Sequence, residues 1–442
     1  MEFYNSTMIN KEVLQNNVVL ISQQLATAKS VAVGFYFLSA GSRFERESMR
    51  GASHFCEHML FKGTLAPDHA LSRHDIAVLF DRMGGYVNAF TERDDVCAYC
   101  TFPALPGNLH RAFSTFCSMA SHCSFDPQEL ENERTVIQNE VASVQDDAEE
   151  SALDALAKKV WPCQPLGMSI TGSIDDVASL TREALLDWYN QKFVHGELVV
   201  VVCGAFTSSE YEDMKLLLEA LPVHASPVPF PQQKRVLTSA TWSSGFVFEK
   251  DNRFSQCQLF ELFPFKMPLT HDQLSVLSVL NALFGDTMSS RLFENLREKN
   301  GCCYSTCSFM TCYEDIGFLA ATASCDKKNV VKITQLLHGQ VTDLLKNQPT
   351  DEEIQCAKDH LLGEEFLSGE DMESLMKRNL RHYAMGLELY DTEQVCASIR
   401  AVQKNAIITF IKELLSDSQR TFFVYGPSLS KKQQKEMLCQ IM

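Results

Sequence analysis

At 442 residues the chain is too long for one compact core, so two or more domains are expected. Its composition, 45% hydrophobic and 21% charged, is that of an ordinary water-soluble globular protein. A net charge of −17 argues against nucleic acid as a main partner; it either serves solubility or favours basic peptides where the acidity faces a cavity. Sixteen cysteines in a chain this long do not make a disulfide-dense scaffold. Residues 1–17 are polar, without a basic n-region, an apolar h-region or the arginines of a transit peptide. The longest apolar runs, 31–38 and 198–203, have strand length and are too short to span a bilayer. The expectation is a cytoplasmic protein with reduced thiols and no membrane partner.

In chain order, 18–24 and 31–39 read as strands joined by a short polar turn. Gly41-Ser42-Arg43 ends the second, and Gly51 to Thr64 follows with no Pro or Gly between Ala52 and Lys62, which predicts a short helix. That helix carries His54, Glu57 and His58 in the order His-x-x-Glu-His. Residues four apart stack on one helix face, so two imidazoles aim at one point, as tetrahedral zinc requires. Glu57 lies beside that face, which suits a general base acting on metal-activated water. By composition the pattern is expected about 0.04 times by chance, so it points to a metal site but needs a third ligand from elsewhere.

Residues 72–83 read as a helix with Ile76, Leu79, Phe80 and Met83 on one face, broken by Gly84-Gly85. Strands at 86–91 and 96–102 form a hairpin around Glu92-Arg93-Asp94-Asp95. A long helix starts at Asp126-Pro127, with Glu129 completing a capping-box pattern, and runs to about Gln145. Its apolar stripe is Leu130, Ile137, Val141 and Val144. Glu133 and Glu140, seven apart, share a face about 70° from that stripe. They can face a pocket at the edge of the core or form a solvated acidic shoulder. After a helix at 181–192, a buried strand at 198–204 and a helix at 208–221, four prolines fall at 222, 227, 229 and 231. They mark a boundary, giving domains 1–221 and 236–442 with a stiff linker at 222–235.

The second half restates the first. Strands at 246–249 and 258–263 and a helix at 272–284 precede Leu292 to Arg297, a strand at 303–310, and helices around 330–345, 351–367 and 372–385. Both halves close on helix, strand, glycine, helix. The glycines are Gly204 and Gly426, and 426 − 204 = 222 is about half the chain, which reads as a duplication.

The chain resembles the pitrilysin/insulinase family of zinc metallopeptidases, and among them the half-length, processing-peptidase type. The likeness spans essentially the whole chain. It is carried by Gly41-Ser42-Arg43-Phe44-Glu45, Gly51 to Thr64, Gly85 to Thr91, Glu133 to Glu140, and Ser289 through Tyr304. The resemblance implies an α+β fold of two duplicated domains, each a mainly antiparallel sheet covered by helices. It implies one Zn²⁺ per chain held by His54, His58 and Glu140, with Glu57 as base and Glu133 orienting a ligand histidine. Asn88, Ala89 and Phe90 fall in the family's substrate-edge strand, where a peptide adds through main-chain hydrogen bonds. Arg297 and Tyr304 match the family's substrate pair, one suited to the substrate backbone, the other to the oxyanion. By the residues alone they read as a surface helix charge and a strand aromatic.

The family encloses substrate between four such domains, so the two here imply a partner subunit, most simply a homodimer. The expected function is a zinc endopeptidase acting on unfolded peptides; the alternative is an idle family member that binds peptides or assists assembly. A structural zinc protein fits less well, because three ligands leave a position open. The sequence also departs from the pattern. The His58-to-Glu140 interval is a few residues longer than the family's, which leaves Glu133 or Glu131 as alternative third ligands. Cys56 and Cys302-Cys303 replace aliphatic or small residues. Cys97-x-x-Cys100 has metal-ligand spacing but lies in a strand with no second pair. Residues 284–288 hold a single glycine, unlike the glycine-rich loop of the family's non-catalytic mitochondrial partner.

Overall fold

A computed structural model describes residues 8–67, 70–227, 235–236, 238–415 and 419–441. It divides into two compact units. The first is Met1–Ser143, Met168–Leu237 and Phe366–Glu393; the second is Val144–Gly167, Thr238–Glu365 and Gln394–Met442.

The first unit contains strands β1 (Ile9–Val13), β2 (Val19–Gln24), β3 (Ser30–Leu38), β4 (Gly63–Thr64), β5 (Leu71–Ser72), β6 (Tyr86–Thr91), β7 (Asp95–Pro103) and β8 (Glu197–Gly204). Six of them form a sheet in the order β1-β2-β8-β3-β7-β6, and β4 pairs with β5 in a small ribbon. The sheet is antiparallel except where β2 runs parallel to β8. The four valines of β8 explain its central place. Val200 and Val202 enter the core under the motif helix, while Val199 and Val201 enter the core on the opposite face. A strand buried on both faces reads as a continuous apolar run.

The motif helix α1 (Ala52–Leu60), α2 (Arg73–Met83) and α3 (Asn108–Ser121) share one core with one face of the sheet. Ser72 caps α2 by accepting from Asp75 N, and Gly84 closes it in the left-handed conformation. The opposite face is covered by the helix Met372–Ala384, through Met372, Leu375, Met376 and Leu380.

The second unit contains β9 (Gly245–Lys250), β10 (Gln256–Lys266), β11 (Ser305–Cys312), β12 (Ile316–Asp326) and β13 (Thr421–Gly426), ordered β11-β12-β10-β13-β9. β13 is parallel to β9 and the other pairs are antiparallel. Written from its parallel end, the order 9-13-10-12-11 repeats the 2-8-3-7-6 of the first unit. The expected α+β architecture of two alike, mainly antiparallel domains is therefore present. Gly204 and Gly426 end equivalent strands at φ +130° and +141°. A Cβ there would stand 2.2 Å from Ser30 O and 2.5 Å from Gln256 O, so only glycine fits both crossings.

The structure differs from the sequence reading in several places. β2 and β3 follow one another across a short turn as expected, but they do not pair, because β8 lies between them. β1, β12, α3 and α5 (Ala148–Val160) carry no expected counterpart. β12 is rich in Ala, Gly and Ser, residues of low strand propensity, and is held by pairing on both sides.

The compact units also do not follow a single cut at 222–235. Residues 144–167 belong with the second unit, where Ala152, Leu156 and Val160 share a core with Phe260, Phe318 and Phe423. Residues 366–393 belong with the first. Half of the proline-rich linker, 228–234, lies outside the described residues. Among the described residues no helix is long and apolar enough to cross a membrane.

Candidate metal centre

α1 is set by its apolar face. Phe55, Cys56, Met59 and Leu60 are buried in the core, which fixes the rotation of the helix and turns its histidine face toward the next element. Its start is held by Glu45, whose carboxylate accepts from Gly51 N at 2.9 Å and Ser53 N at 2.7 Å. His54 and His58 stack one turn apart with their Nε2 atoms 3.2 Å from each other. Opposite them runs α4 (Pro127–Asp146), fixed to the core by Leu130, Ile137 and Val141. Two turns of α4 separate Glu133 from Glu140.

Glu140 Oε1 is 3.4 Å from His54 Nε2, and Oε2 is 3.4 Å from His58 Nε2. One ligand atom from each of the three residues lies within 4.8 Å of the others. Two imidazole nitrogens and a carboxylate oxygen that converge, leaving a fourth position open, form a donor set that fits catalytic zinc. Glu133 Oε1 accepts from His58 Nδ1 at 2.9 Å, which leaves Nε2 as the ligating nitrogen. Its other oxygen meets Lys62 Nζ at 2.5 Å. Glu131 instead pairs with Arg134 at 3.1 Å and takes no part in the cluster.

Charges follow the geometry. Hydrogen bonds from His54 and His58 hold the Glu140 carboxyl far below its ordinary value. Burial opposes ionisation of Glu133, but the contacts of His58 and Lys62 outweigh it and keep the group below the usual range. Burial likewise works against a charged His58, yet Glu133 and Glu140 raise it to about 9. At Glu57 burial wins and raises the carboxyl, against a hydrogen bond from Thr91. That bond, Thr91 Oγ1 to Glu57 Oε2, is 2.6 Å long.

Thr91, Lys62 and Glu45 are site residues that the sequence reading passed over. Lys62 lies just past the C-terminus of α1, four residues after His58. Thr91 and Glu45 sit inside quoted motif blocks, but their partners are set only by the fold.

β6 is an edge strand of its sheet. Val87 and Ala89 pack toward the core that holds α1, while Phe90 packs on the other face, 6.2 Å from the ring of Tyr36. Asn88 is exposed, and its Oδ1 accepts from Ala89 N at 2.9 Å. Arg297 and Tyr304 lie in the second unit. The structure brings them together, with the guanidinium 5.9 Å from the Tyr304 ring centre and 4.7 Å from that of Phe293. Tyr304 immediately precedes β11 and is 85% exposed, so it is not a core aromatic. Cys97 and Cys100 are buried on opposite faces of the sheet and cannot share a ligand.

A model described as insulinase, peptidase family M16, matches residues 19–173, and one described as peptidase M16 inactive domain matches 179–361. The chain belongs to the insulinase family. It is a half-length member: a protein described as an uncharacterized zinc protease from Bacillus subtilis is 27% identical over 412 residues, covering 93% of this chain and 96% of that one. Another of the same description, from Streptomyces coelicolor, is 26% identical and covers 96% of this chain and 90% of its own. In fold, the chain superposes on the structure of a peptidase M16 inactive domain from Pseudomonas fluorescens with a TM-score of 0.85 and 15% identity, covering 96% and 98% of the two chains. A protease from Helicobacter pylori gives 0.83 and 17%, covering 96% and 100%. These relatives support a zinc peptidase of the insulinase family.

Proposed function

We propose that this insulinase-family chain is a zinc-dependent endopeptidase that cleaves unfolded peptides or small polypeptides. The observation that carries the reading is the convergence of His54, His58 and Glu140 within 4.8 Å, with Glu57 on the same short helix. His54, His58 and Glu140 would hold one Zn²⁺, and the ion supplies Lewis acidity where peptide carbonyl and water meet. Glu133 orients His58 through Nδ1.

Glu57 takes a proton from the attacking water as its oxygen bonds to the scissile carbon. It returns that proton to the departing amine as the C–N bond breaks. Burial raises the affinity of Glu57 for a proton, which suits a group that takes one up and gives it back. The outer edge of β6, at Asn88, Ala89 and Phe90, takes the peptide main chain as an added strand. Arg297 holds the substrate backbone, and Tyr304 donates to the developing oxyanion. A second copy of the chain completes the chamber, and Arg297 and Tyr304 then serve the opposite subunit's zinc site.

A mixed peptide library incubated with zinc-loaded wild type and zinc-loaded Glu57→Gln tests the activity. Cleavage by the wild type that vanishes in the variant is expected. Zinc binding without cleavage by either protein would refute an endopeptidase acting alone. Mixing Glu57→Gln with Tyr304→Phe subunits tests sharing. Recovery of activity is expected, and its absence would place both groups in one subunit's site.

A further inference from the structure

The geometry points to Thr91 as the residue that positions the general base, and to β6 as the strand that links peptide seating to that base. The inference rests on the peptidase reading above. Among the described residues, the only hydrogen bond to the carboxylate of Glu57 comes from Thr91 Oγ1, at 2.6 Å. Glu57 is itself buried, and a glutamate has several rotatable bonds to be fixed. A single short bond to one carboxylate oxygen selects its rotamer and leaves the other oxygen to accept a proton.

The two ends of this bond are tied to the same piece of chain. Gly41 N donates to Asp94 O at 3.4 Å, Ser42 N to Glu92 O at 3.3 Å and Arg43 N to Arg93 O at 2.9 Å. These bonds seat the tip of the β6–β7 hairpin on residues 41–43. A Cβ on Gly41 would fall 2.5 Å from Arg93 O, so the tip rests directly on a position open only to glycine. Two residues further on, Glu45 holds the first turn of α1. Residues 41–45 thus fix both the strand end that carries Thr91 and the helix that carries Glu57.

Strand parity completes the link. Val87 and Ala89 face the core of α1, and Thr91 continues that row to Glu57. The strand's inner edge pairs with β7 and its outer edge pairs with no described strand. A peptide that adds along the outer edge is therefore registered against the same strand that orients the base.

The test is steady-state hydrolysis by Thr91→Val, Thr91→Ala and Thr91→Ser, with zinc content measured for each. Loss of the hydroxyl in Val and Ala lowers kcat about 10–100-fold, the range for partners of catalytic ligands, with KM within about 2-fold and zinc retained. Serine, which keeps the hydroxyl, recovers kcat to within about 3-fold of wild type. A merely structural threonine would instead change KM or zinc content, or respond alike to Ser and Ala. Should the valine variant not fold, the serine and alanine pair decides. Active wild type with an unchanged kcat in Thr91→Ala overturns this inference and leaves the peptidase reading intact. Wild type inactive on every peptide overturns both.

Discussion

Glu133→Gln keeps the size of the side chain and removes its charge, and it separates the orienting carboxylate from the ligands themselves. Glu133 is 5% exposed and touches two cations or potential cations, His58 Nδ1 at 2.9 Å and Lys62 Nζ at 2.5 Å. Glutamine can still accept from Nδ1, but it no longer raises the basicity of the opposite nitrogen. Lys62, whose side chain is only 20% exposed, is left as an unbalanced charge next to the ligand histidine. Both effects disfavour a bound dication. Outer partners of this kind are worth about 10–100-fold in metal affinity, which is roughly 1.4–2.8 kcal/mol. Zinc dissociation constants from competition with a chelator, at one pH, measure the change. Glu131→Gln is the control, since Glu131 turns to Arg134 instead. Adding Lys62→Met to Glu133→Gln should recover part of the loss. A change under about 3-fold in folded Glu133→Gln, or an equal loss in Glu131→Gln, would refute the assignment of Glu133 as the orienting group.

Further expectations concern stability and the metal. Burial raises Glu45 to about 7 from 4.5, against hydrogen bonds from Ser53 and Gly51, so the native state holds a proton that the unfolded chain has released between those values. Stability from this group is complete below about 4.5 and is lost as pH rises through about 7. Denaturant midpoints at pH 5 and pH 8 should fall more for wild type than for Glu45→Gln, and equal falls would contradict the burial argument. Gly426→Ala forces a side chain into a left-handed backbone with its Cβ 2.5 Å from Gln256 O. It should cost about 1–3 kcal/mol by urea unfolding, and a change within about 0.5 kcal/mol would show the crossing to be compliant. Zinc added to chelator-stripped protein should raise the melting temperature with concentration. The same rise in His54→Ala would remove His54 from the ligand set.

Local relations were the legible ones. His54 and His58 are four apart on one helix, and Glu133 and Glu140 seven apart on another, so their shared faces follow from helical pitch alone. That α4 lies across α1 does not follow from pitch, and the separation of 140 − 58 = 82 residues is closed only by the core of Leu130, Ile137 and Val141. Thr91 escaped for the same reason. A threonine ending a strand has no local mark of function, and its partner Glu57 lies 34 residues earlier. β12 was missed because Ala and Gly form a strand there only through pairing on both sides. The allegiance of α5 was hidden because an amphipathic helix shows that it has a buried face, not which core receives it.

The two units share a topology, and this bears on why, among the described residues, one carries a converging metal donor set and the other does not. In each, the chain leaves the third sheet position, β3 or β10, passes through helical segments, and returns as the edge strand, β6 or β11. In the first unit the earlier segment is α1, with two histidines and a glutamate. In the second it is His271–Asn281, whose buried residues are Ser275, Val276, Leu277, Val279, Leu280 and Asn281. The buried face of that helix carries no histidine or carboxylate, and among the described residues the one converging donor set is that of the first unit. Tyr304 stands immediately before β11 where Gly85 stands immediately before β6, and its ring is exposed beside a guanidinium. Core packing does not hold that aromatic there, and under the peptidase proposal it is presented to the bound peptide. Under the proposed function the scaffold divides the labour, with metal ligands and base in the first unit and oxyanion and backbone contacts in the second.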